Sequence, residues 1–133
     1  MERMIFVNLP VADVTASREF YTGLGFNVNE MFSDAQVTSI VVSDAIVVMI
    51  MERDRFADFA EAPVADPRAT VQVLNALSAS SREEVDTLVG NAVAHGGSVY
   101  GKTQEDGPMY GRAVTDPDGH VWEFVHMDMS AVG

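Results

Sequence analysis

Short apolar runs separated by polar turns dominate the chain, and this pattern predicts a protein built mainly of strands with two helices. In the first half, strands are predicted at 4–9, 26–32, 36–42 and 45–51. A helix is predicted at 14–22, because Asp13 suits its first cap and an apolar stripe follows at near-helical spacing. The glycines at 23 and 25 suit its exit.

The second half predicts the same order of elements. Its strands are expected at 70–78, 98–103, 110–115 and 121–127, with a polar loop at 104–108. Ser81 and Glu84 fit a capping box that opens a helix running to about 95. Each half therefore reads βαβββ. Either half alone would bury too little surface to be stable, so we expect the halves to pack on each other or on a second chain.

The connector between the halves differs in character from both. Residues 52–66 mix charges with Phe56 and Phe59, which is consistent with one or two helical turns, and Pro63 and Pro67 end the stretch. A mobile, lid-like segment and a plain surface linker both remain open. We expect a single domain over 1–133, with one module at about 1–62, the connector at about 53–68 and a second module at about 69–133.

Composition narrows the class of protein. The chain of 133 residues is 47% hydrophobic and 21% charged, which is ordinary globular material. Its longest apolar run, 45–51, is too short to cross a bilayer, and its start lacks the features of a signal peptide, so a cytoplasmic location is expected. The absence of cysteine rules out disulfides, thiolate metal ligands and a cysteine nucleophile.

The net charge of −12 argues against nucleic acid and anionic membrane surfaces as partners. Solubility alone accounts for such a charge, and a preference for cationic ligands stays open.

Glu123 is the chemically unusual residue of the last predicted strand. Because neighbours along a strand alternate between faces, Glu123 shares a face with Val121 and Val125. A carboxylate between two valines belongs either to a solvated face or to a cavity that uses it.

Two stretches carry a family resemblance. Residues 116–123 read D-P-D-G-H-V-W-E, and the N-terminal part carries LPVAD at 9–13, FY at 20–21 and LGF at 24–26. Together they resemble the vicinal oxygen chelate superfamily, which contains glyoxalase I, extradiol dioxygenases, and the fosfomycin and bleomycin resistance proteins. The resemblance implies an α+β fold in which paired βαβββ modules form a curved mixed sheet that lines a cavity. One fold of this kind hosts many chemistries.

The resemblance also implies where a divalent metal would bind in the metal-dependent members. Glu123 matches their glutamate on the last strand. The other ligand positions fall on Phe6 and on or near Leu74, and a shift of the second alignment would bring in Gln72 or Asn75. None of these is a strong ligand for a transition metal.

The three histidines do not supply the missing ligands. His95 lies at a helix end, His120 in a turn, and His126 on the face opposite Glu123. No pair of them has a metal-binding spacing. We therefore expect no metal and no other cofactor, and a divalent ion enters only under the alternative hypothesis below.

The candidate substrate-binding residues are those expected to face the cavity: Phe6, Asn8, Tyr110, Arg112 and Glu123. Two of them have structural alternatives, because Arg112 could form an ion pair with Glu123 and Tyr110 could be a core residue.

Three hypotheses about function follow. The leading one is a metal-independent protein that binds a small molecule between the chains of a homodimer, as the bleomycin resistance branch implies. The alternative is a metal-dependent lyase or extradiol-type dioxygenase that uses Glu123 as a ligand. The third is a structural or regulatory protein without a ligand.

Overall fold

A computed structural model of the protein describes residues 1–131. The chain divides into two compact units, and the second begins at Pro67. Each unit contains one four-stranded sheet with parallel and antiparallel neighbours. The predicted α+β class and the βαβββ order of both halves are confirmed. Among residues 1–131, the helices are too short to span a membrane.

The first unit holds four strands in the order β1-β4-β3-β2, with β1 parallel to β4. Its elements are β1 (Ile5–Val11), α1 (Val14–Gly23), β2 (Asn27–Val28), a 3₁₀ turn (Glu30–Phe32), β3 (Val37–Ser43), β4 (Ile46–Glu52) and α2 (Arg53–Ala57).

Helix α1 covers one face of this sheet. The Asp13 carboxylate caps the helix by accepting hydrogen bonds from the Thr15 and Ala16 amides. Phe20 on the helix is fully buried, as is Val48 on β4. The opposite face of β4 is therefore the one left to form a cavity.

The second unit repeats this plan in the order β5-β8-β7-β6, with β5 parallel to β8. Its elements are β5 (Leu74–Ser78), α3 (Arg82–Ala94), β6 (Ser98–Asp106), β7 (Met109–Thr115), β8 (Val121–Met127) and a final 3₁₀ turn (Met129–Ala131).

The predicted capping box opens α3. The Ser81 hydroxyl accepts a 3.0 Å hydrogen bond from the Glu84 amide. The Glu84 carboxylate accepts a 2.9 Å hydrogen bond in return, but from the amide of Ser80, one residue before the cap. The start of the helix is thus fixed by the side chains of Ser81 and Glu84, which accept hydrogen bonds from backbone amides on both sides of the cap.

A bulge interrupts the pairing of β6 with β7. Tyr100 pairs with Ala113, and the next pair joins Gln104 to Gly111, so β6 carries two residues more than β7 between these points. Gly101 adopts a φ of +66° there, a conformation that favours glycine.

The turn at 116–119 has a structural role. Asp116 is only 3% exposed, and its Oδ1 accepts 2.9 Å hydrogen bonds from the amides of Asp118 and His120. The Arg68 guanidinium donates to the carbonyl of Pro117, so the start of the second unit is bonded to this turn. The aspartate that contributes to the family resemblance therefore shapes the backbone.

Three predicted boundaries are wrong. Residues 26–32 do not form one strand, because the Asn29 side chain accepts from the Met31 amide and turns the chain into the 3₁₀ turn. Residues 70–73 lie before β5, and 104–106 belong to β6 instead of a loop.

Candidate functional site

A cavity of about 570 Å³ lies over the uncovered face of the first sheet. Its floor is formed by Val37, Met49 and Met51. The register explains this floor, since Met51 pairs directly with Val37, and Met49 lies on the same face two residues earlier. The floor is therefore apolar and includes two flexible thioethers.

Three phenylalanines form the walls. The 3₁₀ turn brings in Phe32, and α2 with the residues after it brings in Phe56 and Phe59. Phe32 is 64% exposed and Phe59 is 66% exposed. Aromatic surface exposed in this way is available to a ligand.

The polar groups at this cavity are Asn8, Asp34 and Arg55. The Asn8 amide donates a 3.2 Å bond to the carbonyl of Phe6. Oδ1 of Asp34 accepts from the amides of Gln36 and Val37, at 2.8 and 3.1 Å.

The side chain of Arg55, in contrast to those of Asn8 and Asp34, makes no hydrogen bond to the described residues. Its guanidinium carbon lies 5.1 Å from the ring centre of Phe59, and its nearest carboxylate oxygen, on Asp58, is 3.9 Å away. A separation of 3.9 Å is too long for a hydrogen bond.

The second sheet presents Glu123 on its own uncovered face. Glu123 pairs with Ala76 on one side and Ala113 on the other, so its carboxylate rises between two small side chains. A smaller cavity of about 180 Å³ lies here, with Lys102 and Gln104 from the bulged strand at its border. Within residues 1–131, the Glu123 side chain has no hydrogen-bond or ion-pair partner.

Glu123 and Met49 occupy equivalent positions in the two units. Asn8 and Ala76 each lie six residues before the first residue of the following helix. Asn8 pairs with Met49, and Ala76 pairs with Glu123. The same place in the repeated fold is thus apolar in one unit and acidic in the other.

The pairing of the strands contradicts the expectation that Tyr110 and Arg112 share a strand face with Glu123, although Arg112 is among the residues that line the smaller cavity together with Glu123. Because Ala113 pairs with Glu123, the even-numbered residues of β7 point to the other side, and Arg112 pairs with Phe124. The proposed ion pair between Arg112 and Glu123 is therefore also wrong.

Both side chains instead bind Asp86 on α3. The Tyr110 hydroxyl donates a 2.7 Å hydrogen bond to its Oδ1, and the Arg112 guanidinium donates one of 3.1 Å. The bond from Tyr110, followed by that from Arg112, lowers the pKa of Asp86. The same bond to Asp86 raises the pKa of Tyr110.

The remaining candidates divide. Asn8 lines the larger cavity and Glu123 lines the smaller one, whereas Phe6, although 55% exposed, lines neither. Sequence reasoning did not identify Phe32 or Arg55 as site residues. For Arg55, the aromatic residues inside the charged connector at 52–66 were the available signal, and the connector was interpreted as a lid or a linker. Phe32 was assigned to the strand predicted at 26–32.

The residues around Glu123 do not fit a divalent metal. No cluster of three histidine, cysteine, aspartate or glutamate side chains suited to a metal occurs in the described part of the chain. Asn75 pairs with Trp122 and so faces away from Glu123, and Gln72 precedes β5. His126 also faces away, with Nδ1 3.1 Å from the carbonyl oxygen of Ala79. A carboxylate with alanine neighbours does not make a metal centre.

Comparisons with known proteins agree with this fold. The family described as "Bleomycin resistance protein-like N-terminal" matches residues 3–43. A search of curated proteins finds no match. Among solved structures, a hypothetical protein of S. aureus has 27% identity and a TM-score of 0.79, with 95% of this chain and 94% of that chain covered.

Two further solved structures are less identical in sequence. A glyoxalase/bleomycin resistance protein/dioxygenase family enzyme from Burkholderia phytofirmans PsJN has 20% identity and a TM-score of 0.77, covering 95% of this chain and 99% of that one. The fosfomycin resistance protein FosX from Listeria monocytogenes has 17% identity and a TM-score of 0.68, covering 98% of both chains. At these identities the likeness shows the fold alone. Residues 3–43 therefore match a bleomycin resistance protein-like family, and the chain as a whole has the repeated βαβββ fold of the glyoxalase/bleomycin resistance/dioxygenase proteins, the vicinal oxygen chelate fold.

Proposed function

We propose that this protein binds a small molecule in the cavity of its first unit and needs no metal ion to do so. The observation that carries this proposal is the cavity itself, about 570 Å³ with an apolar floor and aromatic walls. That volume lies within the range of about 300–1,000 Å³ typical of ligand sites. A few polar groups at an otherwise apolar surface are also typical of such sites.

The exposed rings supply the driving force. Phe32 and Phe59 leave most of their surface in water, and covering apolar area contributes about 25 cal/mol per Å². A ligand that fills the space between them replaces water on both rings. Asn8 contributes one polar contact, and in the second unit Glu123 is proposed as a further ligand-contacting residue.

The experiment uses N-phenyl-1-naphthylamine, a neutral probe whose emission rises in apolar surroundings. We expect saturable binding near one probe per chain. Phe32→Ala should weaken binding about tenfold or more, since covering a phenylalanine side chain is worth about 1.5–3 kcal/mol and a factor of ten in affinity corresponds to about 1.4 kcal/mol.

Met31→Ala is the matched control, because Met31 is the neighbour of Phe32 in the same 3₁₀ turn and is 85% exposed. It should leave binding unchanged. Equal binding by Phe32→Ala and Met31→Ala, or no saturable binding by the parent protein, would contradict the proposal.

A metal-dependent lyase or dioxygenase is the second candidate, favoured by one observation. The Glu123 carboxylate stands without a partner among the described residues. Elemental analysis after incubation with zinc, nickel, manganese or iron salts tests this candidate. About one bound equivalent that is lost in Glu123→Gln supports it, and metal near zero in the parent protein eliminates it.

We also propose that two chains form a homodimer. Strand β1 is the edge of its sheet, and Ile5 and Phe6 at its start, with Met4 just before it, are about half exposed. A second copy that covers them removes apolar surface from water. Multi-angle light scattering should give twice the chain mass of 14.4 kDa, and Ile5→Glu should give the single mass. A parent protein that remains monomeric at tens of micromolar contradicts the proposal.

A further inference from the structure

We propose that the ligand of the first unit is a planar aromatic molecule that carries an anionic group, and that Arg55 binds this group. The inference rests on the proposed function of the same cavity. It adds the chemical class of the ligand and names the residue that selects it.

The hydrogen-bond donors of Arg55 are unused. A guanidinium carries five N–H donors, yet that of Arg55 donates no hydrogen bond to any residue in the described range 1–131. Arg53, two residues earlier, donates to the backbone carbonyls of Ala65 and Val64, at 3.1 and 3.2 Å. Arg55, which lines the cavity, is therefore the arginine of this pair whose N–H donors are available to a ligand.

The contact between Arg55 and Asp58 competes weakly with a ligand. The two groups are 3.9 Å apart, and their side chains are 43% and 67% exposed. An exposed pair of this kind is worth about 0–1 kcal/mol. An anion that accepts two parallel N–H bonds from the guanidinium displaces this contact at little cost.

The Arg55 guanidinium lies over the ring of Phe59. The separation of 5.1 Å lies within cation–π range. A guanidinium held over a ring loses less freedom when it binds an anion, because part of its motion is already restricted. Arg55 thus places a positive charge beside an exposed aromatic ring.

An aromatic body follows from the surfaces around this charge. Phe32 and Phe59 come from different elements, and both expose about two thirds of their surface. Offset or edge-to-face packing on such rings favours another aromatic ring. The thioethers of Met49 and Met51 on the floor also make favourable contacts with aromatic ligands.

Asp34 is the one acidic side chain among the residues that line this cavity, and it is already engaged. Its Oδ1 accepts two backbone hydrogen bonds, so it has less capacity left for a ligand cation than Arg55 has for an anion. The observations therefore favour an anionic ligand over an ammonium ligand.

Two fluorescent probes test the inference. 8-Anilinonaphthalene-1-sulfonate carries an anionic group, and N-phenyl-1-naphthylamine is the same aromatic body without it. Arg55→Gln should weaken binding of the sulfonate about tenfold or more, a loss of at least about 1.4 kcal/mol, because a charge-assisted hydrogen bond is lost. Binding of the neutral probe should change less than twofold.

Arg3→Gln is the matched control. It removes the same charge from the same unit at a residue that does not line the cavity. It should leave both affinities within twofold, whereas Arg55→Lys should restore the sulfonate affinity only in part. Unchanged denaturation midpoints confirm that the variants are folded.

The outcomes separate the two proposals. If neither probe binds saturably, the proposed function fails. In two further outcomes, the neutral probe binds while Arg55→Gln leaves the sulfonate affinity unchanged, or while Arg3→Gln lowers that affinity equally. Either outcome keeps the proposal of a ligand-binding cavity and contradicts the proposal of an anionic ligand.

Discussion

The Tyr110 hydroxyl donates a 2.7 Å hydrogen bond to Oδ1 of Asp86 and so links strand β7 to helix α3. Arg112 donates to the same oxygen at 3.1 Å. One carboxylate therefore accepts hydrogen bonds from two side chains on the same face of the strand. This geometry predicts the direction in which the pKa values of Asp86 and Tyr110 shift.

The first prediction concerns pH. The pKa of Asp86 is lowered from 3.8, chiefly by the Tyr110 bond, so its contribution to stability is present above 3.8 and is lost as pH falls through the folded value. The pKa of Tyr110 is raised from 10.0 by Asp86, so its contribution is present below 10.0 and is lost as pH rises through the folded value.

Tyr110→Phe should raise the pKa of Asp86 towards its ordinary value, which a carboxyl NMR titration measures. The absorbance change of the Tyr110 phenolate is the difference between the pH titrations of the parent protein and of Tyr110→Phe. This change should occur above pH 10.0. An unchanged Asp86 titration in the variant would show that the bond does not form in solution.

The second prediction concerns Gly119. Its φ is +100°, and a methyl group there would lie 3.1 Å from Cγ of Arg68 and 3.3 Å from the carbonyl oxygen of Pro67. Gly119→Ala should lower the free energy of unfolding by about 1–3 kcal/mol. Denaturant unfolding followed by emission of Trp122, which is 2% exposed in the same unit, measures the loss.

Gly90→Ala is the control in that experiment. Gly90 lies within α3, and a methyl group there meets nothing within 4 Å. It should raise stability by up to about 1 kcal/mol through helix propensity. The interpretation of the turn is wrong if both variants shift the midpoint in the same direction.

The third prediction concerns the cap of α3. Ser81→Ala removes the acceptor of the 3.0 Å bond from the Glu84 amide, and should cost about 1 kcal/mol. Ser80→Ala is matched to it, because only the backbone amide of Ser80 takes part in the cap. Equal unfolding free energies for the two variants would contradict a capping role of the Ser81 hydroxyl.

The fourth prediction concerns the connector. Arg53 bonds to the carbonyls of Val64 and Ala65, and so ties the end of the connector to α2. Arg53→Gln should speed chymotrypsin cleavage after Phe59 several-fold, since cleavage follows the population of opened segments. Arg3→Gln removes an exposed arginine of the same unit whose side chain makes no hydrogen bond to the described chain, and this variant should be cut at the parental rate. A rate that Arg53→Gln leaves unchanged would mean that these bonds do not restrain the connector.

Much of the fold could be predicted because its signals are local. The cap at Asp13, the capping box at Ser81 and the turn at 116–119 each use side chains within a few residues of one another. The strand predicted at 26–32 failed for a similar local reason. The Asn29 side chain offered the Met31 amide a bond that competes with strand pairing.

The candidate site was less predictable because it depends on register. Whether Tyr110 or Gly111 shares a face with Glu123 is decided by how many residues the turn between β7 and β8 takes up. A shift of one residue moves every side chain to the other face. The position of Phe32 at the cavity could not be predicted for a further reason, because it depends on a 3₁₀ turn in place of a strand.

The bulge in β6 has a consequence for behaviour in concentrated solution. Strand β6 is the outer strand of its sheet, and all nine of its residues are exposed, which would otherwise make it a template for edge-to-edge aggregation. The two extra residues beside Gly101 break the regular spacing of outward-facing backbone groups, and Lys102 adds a charge at the break. A second strand cannot align along the full length of such an edge, so the bulge guards the protein against amyloid-like stacking.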